Sequence, residues 1–165
     1  MLLRRWIPPL SVVLALAAAS CSGLEVRSTH APDQDFSKIE TYAWLPRGNY
    51  AVVRVETIDW IRTVVDETLQ AKGLTEVPAD VADVRIDEIA SLAQKTQVND
   101  PYFAFSNFET YEEGRLAIVM YDPATGETVW EGNAKARLEQ EETAEQRRAL
   151  AKKAVEKILD RFPPK

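Results

Sequence analysis

The stretch RLAIVMYDPATGETVWEGNAKARL, residues 115–138, restricts the fold more than any other part of the chain. Successive side chains of a strand point to opposite faces. Leu116, Ile118 and Met120 therefore share one face, and Ala117, Val119 and Tyr121 the other. Asp122, Pro123 and Gly126 then supply side-chain capping, a fixed φ and tolerance of positive φ, the ingredients of a tight turn. Thr128 to Leu138 return as a second strand, with Gly132 expected to mark a bend. Such a hairpin needs a sheet to join and a layer to cover its apolar side.

Two segments have the periodicity to be that layer. In ETIDWIRTVVDETLQAKG, Ile58, Ile61, Val65 and Leu69 fall on one helical face. Thr57 is the expected N-cap, Asp59 suits the first turn, and Gly73 ends the helix. The second helix is expected from Thr143 to Arg161. TAEQ reads as a capping box, in which Thr143 accepts from the backbone and Gln146 reaches back. Leu150, Ala154, Val155, Ile158, Leu159 and Phe162 form its apolar stripe, and Pro163 and Pro164 stop it.

Further strands are weaker signals. Leu24 to Ser28 alternates enough to be a first strand, and Ile39 to Pro46 combines aromatic and β-branched residues with a proline stop. Val84 to Ala93 reads as a strand with a bulge near Glu88, where the alternation falters. The aromatic run VNDPYFAFSNFETYEEG has no clean period. Together these elements predict an α+β fold: a two-layer sandwich, mostly antiparallel, with two amphipathic helices on one face of the sheet.

The N-terminus reads as a targeting segment. Arg4 and Arg5 precede a short apolar run, Leu10 to Ala19, and then small residues. Ala18-Ala19-Ser20-Cys21 resembles a bacterial lipobox, with Ala18 where leucine is commonest. The resemblance implies cleavage before Cys21, diacylation of its sulfur and acylation of the new amino group. Ser22 is not the aspartate of the inner-membrane retention signal, which favours the outer membrane. Each buried methylene contributes about 0.8 kcal/mol, so two or three acyl chains hold a domain firmly on a bilayer. Residues 1–20 are thus expected as the signal, 21–35 as a lipidated tether that can include the first strand, and 36–165 as one globular domain. Cleavage removes Arg4 and Arg5 and no acid, taking the net charge from −6 to −8.

That acidity speaks against nucleic acid as a partner. Cys21 is the only cysteine and His30 the only histidine, a poor basis for a metal site, and no cofactor motif occurs. His30 reads as an exposed residue near the tether. The doublets Asp87/Glu88, Glu112/Glu113 and Glu141/Glu142 read as solvated surface, since neighbours on a strand cannot face each other across a cleft. Trp44 and Trp130 sit within strand patterns and are expected in the core.

DFSKIETYAWLP, LQAKGLTEV, DPATGETVWEGNA and AVEKILDRFPP occur in that order. Together they resemble bacterial lipoproteins that carry domain of unknown function 4136, over about residues 22–164. The resemblance implies an envelope lipoprotein of Gram-negative bacteria and supplies no catalytic residues. The expected protein is a non-enzymatic binding or adaptor module, anchored through Cys21 in the outer membrane and facing the periplasm. Envelope proteins or glycans are its expected partners. Arg47, Tyr50, Tyr102, Phe103, Phe105 and Phe108 are the candidate contact surface, because aromatic rings beside a guanidinium suit glycan or peptide; the alternative for Phe103, Phe105 and Phe108 is a flap of the core. The alternative is a periplasmic hydrolase of cell-wall material that works through carboxylates.

Overall fold

The computed structural model describes residues 23–47, 55–98, 108–138 and 142–164. Strands β1 (Glu25–His30) and β2 (Thr41–Trp44) precede helix α1 (Val55–Ala71). Then come β3 (Thr75–Glu76), β4 (Val84–Val98), β5 (Phe108–Tyr121), β6 (Thr128–Leu138) and helix α2 (Ala144–Leu159). The six strands form one sheet in the order β1-β6-β5-β4-β2-β3. Both helices contribute to one core on a single face of it, so the α+β sandwich holds.

The sheet is mixed. Strands β1, β6, β5 and β4 pair antiparallel, whereas β2 runs parallel to both β3 and β4. The cause is α1: a helix that leaves β2 and packs back on the sheet returns the chain in the original direction. Asp83 fastens this crossover. Its Oδ2 accepts from the backbone N–H of Thr41 at 2.8 Å and from the Thr41 hydroxyl at 2.7 Å. Those bonds, the Thr41 hydroxyl's above all, hold the Asp83 carboxyl below its ordinary pKa.

The predicted hairpin is present, and its strand partners are longer than the sequence suggests. β4 and β5 pair without interruption from Arg85↔Tyr121 to Val98↔Phe108, so the bulge expected near Glu88 is absent. The irregularity lies elsewhere: the β5–β6 register shifts between Met120 and Tyr121. At the turn, Asp122 Oδ1 accepts from the N–H groups of Ala124 and Thr125, each at 2.8 Å, and Gly126 has φ +73°.

Each helix buries the face its sequence dictates. Ile58, Ile61, Val65 and Leu69 of α1 are all buried, together with Val64. The helix begins at Val55, so Thr57 lies inside it and is not its cap, and Glu56 is the acid of its first turn. It ends as expected: Gly73 has φ +93°, and Leu74 N–H reaches back to Leu69 O at 3.0 Å, closing a Schellman turn. Helix α2 has the full capping box, Gln146 N–H to Thr143 Oγ1 at 3.2 Å and Thr143 N–H to Gln146 Oε1 at 2.7 Å. Ala154, Val155, Ile158 and Leu159 turn inward. Trp130 is fully buried and meets Phe162 edge-on, with ring centroids 5.3 Å apart.

Gly132, expected at a bend, instead permits close approach. A Cβ there would lie 2.5 Å from Ile158 Cγ2 and 2.5 Å from the Trp130 ring. The missing side chain lets α2 settle on β6.

Candidate functional site

Among the described residues, three places concentrate polar chemistry. The first lies between α1 and strands β2 and β4. Tyr42 Oη and Trp44 Nε1 both donate to Asp66 Oδ1 of α1, each at 2.8 Å. One helical turn earlier, Arg62 stacks over the Trp44 ring, 4.5 Å from its centroid. Arg62 Nε donates to Glu88 Oε2 of β4 at 2.9 Å, and Nη2 donates to the carbonyl of Leu45 at 3.2 Å.

Glu88 corrects the reading of the acidic doublets as solvated surface: its side chain is fully buried. It points inward because it keeps phase with Val84 and Ile86, while Asp87 points the other way. Its Oε1 has no hydrogen-bond partner. Burial pushes the Glu88 carboxyl above its ordinary pKa, with the Arg62 hydrogen bond and charge opposing. Burial, and then the hydrogen bond to Asp66, raise the Tyr42 phenol. The sequence carried one trace of this network, an acid in the buried phase of a strand. Its partner stands on another element, beyond the reach of pattern reading. Chemically the network clamps α1 to the sheet.

The second place is the sheet face that carries no helix. Here β1, β6, β5 and β4 border a shallow depression of about 500 Å³, lined in part by Glu25, Arg27, Ile89, Ser91, Arg115 and Lys135. Its charges pair across neighbouring strands and along them. Lys135 Nζ lies 3.1 Å from Glu25, and Arg115 Nε lies 2.6 Å from Glu113, whose carboxyl it holds below the ordinary value. Ile89 stands 44% exposed among them. An open, shallow face of alternating charges suits contact with a chain or a surface better than enclosure of a small molecule.

The third place is the end of the sheet from which β4 and β5 project beyond the other strands. Phe108 opens β5 there and is 70% exposed. Nearby, Arg137 stacks over Tyr111 at 4.6 Å and pairs with Glu109. Gly23, Gln97, Tyr111 and Arg137 line one small depression at this end.

Of the predicted contact residues, Arg47 and Phe108 are among those described, and they lie apart. Arg47 lies on the loop after β2 and pairs with Asp59 of α1. Phe108 pairs with Val98, roughly 40 Å of strand from Ile86, beside which the β2 chain leaves the sheet. Tyr50, Tyr102, Phe103, Phe105 and Cys21 lie outside the described residues. Trp130 is core, whereas Trp44 is half-buried beneath Arg62. His30 is exposed at the end of β1 and meets the Phe36 ring edge-on at 5.7 Å. Among the described residues no three His, Cys, Asp or Glu side chains are grouped to hold a metal ion. No described helix is long and apolar enough to cross a membrane.

A family model described as a domain of unknown function, DUF4136, matches residues 26–164. No curated protein matches the chain. Among solved structures, the chain is similar to a PDZ domain protein from Parabacteroides distasonis, with TM-score 0.61 and 17% identity. That match covers 86% of this chain and 36% of the other, so the chain spans about a third of that relative's length. It is also similar to the PelC dodecamer from Paraburkholderia phytofirmans, with TM-score 0.54, 16% identity, and 82% and 94% of the two chains covered. At these identities the likeness is one of fold.

Proposed function

The chain belongs to the DUF4136 family, and from that premise we propose that it is a lipoprotein of the bacterial envelope that works by binding. Cleavage before Cys21 would leave a cysteine whose acyl chains anchor the domain in the outer membrane, with the domain in the periplasm. The observation that carries this reading is the short distance between anchor and fold. The lipobox-like AASC ends at Cys21, and β1 enters the sheet at Glu25. Four residues span at most about 14 Å, so an acylated Cys21 would hold the domain against the bilayer. A domain held in this way presents its helix-free sheet face sideways, along the membrane, to whatever shares the envelope.

That face supports binding over catalysis. Three of its described carboxylates are committed to cations, Glu25 to Lys135, Glu113 to Arg115 and Glu109 to Arg137, and Glu131 accepts from the Asn133 amide. A glycoside hydrolase needs two carboxyls facing across the scissile bond. Glu88, whose raised pKa would suit a general acid, is sealed beneath α1 with Arg62. The test is in-cell photocrosslinking from positions 89 and 115 on the open face, with the captured molecules identified by mass. Adducts that depend on the face, and vanish when the probe sits at exposed Lys72 of the helix side, are the expected result. Equal capture at all three positions would overturn the assignment of the face.

A further inference from the structure

The sheet end that bears Phe108 is also the end at which the chain enters the fold. β1 is antiparallel to β6, and β6 to β5, so β1 and β5 run in the same direction and start at the same end. Glu25 aligns with Lys135, and Lys135 with Arg115. From Arg115, β5 extends back to Phe108, roughly 23 Å at 3.3 Å per residue. The tether from Glu25 to Cys21 reaches at most about 14 Å in the same direction. Gly23 lies along this arm, sharing a depression with Gln97, Tyr111 and Arg137.

The arm therefore outreaches the tether. We propose that the β4–β5 arm makes a second contact with the membrane, through Phe108 seated in the interfacial layer of the bilayer. The inference rests on the reading of Cys21 as the lipid anchor. With Cys21 at the bilayer surface and the sheet upright, the arm passes that surface by at least about 9 Å, enough to reach the depth of interfacial apolar groups. The side chains suit the location. Phe108 is an aromatic ring that the fold leaves largely exposed. Glu109, the next residue, is neutralised by Arg137, which also lies over Tyr111. The lipid contact would fix the tilt of the domain, which a single point of attachment cannot.

The experiment supplies the anchor chemically. The mature chain from Cys21 is coupled through its thiol to a maleimide-headgroup lipid in phosphatidylcholine vesicles. The photoreactive p-benzoyl-phenylalanine stands at position 108 or, as the control, at position 124, an exposed site in the β5–β6 turn at the far end of the sheet. Lipid adducts at 108 at least tenfold more abundant than at 124 are expected. Equal yields, or no adduct at 108, would overturn the second contact. Acylation in cells is read separately, from the mass of the N-terminal peptide, so failure of the arm and failure of the anchor are told apart.

Discussion

Arg62 Nε and Glu88 Oε2 meet at 2.9 Å beneath α1, and Glu88 is fully buried. This pair ties the helix that makes the parallel crossover to β4, the strand on the other side of β2 from β3. Removing one member leaves a buried charge with no counter-ion, which costs about 3–5 kcal/mol. Glu88→Ala and Arg62→Ala are both expected to destabilise by that amount in urea unfolding. Glu88→Gln keeps an acceptor for Arg62 and a similar shape, so it is expected to cost less than half as much as Glu88→Ala. A cost for Glu88→Ala within about 0.5 kcal/mol, the range of ordinary surface substitutions, would show that the pair does not clamp the helix.

The same residue sets one limb of the pH dependence. Its folded pKa lies above the unfolded value near 4.5. Between the two values the folded state holds the extra proton, so stability from Glu88 is full below the unfolded pKa and falls as pH rises through the folded one. Asp83 acts in the opposite sense. Its folded pKa is depressed below 3.8, so its contribution is present above that value and lost as pH falls. Subtracting the Glu88→Gln stability profile from that of the wild type should leave a decline from about pH 4.5 upward. Subtracting Asp83→Ala should leave a loss on acidification below about pH 4. The two difference profiles having the same sign would contradict these assignments.

Gly132 and Gly114 offer a contrast in packing. A Cβ at 132 meets Ile158 Cγ2 and the Trp130 ring at 2.5 Å, both inside the core. A Cβ at 114 meets Leu138 Cδ1 at 3.3 Å, the free end of a flexible side chain. Gly132→Ala is expected to destabilise by about 1–3 kcal/mol through overpacking. Gly114→Ala is expected to stay within about 0.5 kcal/mol, because alanine's lower backbone entropy cost offsets a small shift of Leu138. Thermal melts of the two variants side by side decide the matter.

The capping box of α2 gives a smaller, local effect. Thr143→Ala removes the acceptor for Gln146 N–H and should cost about 1 kcal/mol. Thr57→Ala, at a position inside α1, should cost no cap energy. A melt showing the reverse order would put the cap of α1 back at Thr57.

The sequence was most legible where partners are close along the chain. The alternation from Leu116 to Leu138, the Asp122–Gly126 turn and the Thr143–Gln146 box depend on residues a few positions apart, and each appears in the structure. It was least legible where partners are distant. The parallel placement of β2 beside β4 depends on α1 packing back over the sheet, and on Asp83 reaching Thr41. Glu88 broke the apolar alternation and so suggested a bulge, because Arg62, which compensates its charge, sits 26 positions away. Most of the candidate contact surface lies outside the described residues. Of its residues, Arg47 pairs with Asp59 of α1, while the register sets Phe108 against Val98, far along β4 from Ile86.

The proposed attachment holds the domain on a membrane through Cys21. Its most direct test is the mass of the N-terminal peptide of the protein purified from the bacterial envelope. The expected chain begins at Cys21, with a diacylglyceryl group on sulfur and an acyl group on the amino terminus, and Cys21→Ala shifts the protein to the soluble fraction. A mature chain that begins elsewhere, or that carries Cys21 as a free thiol, would contradict it.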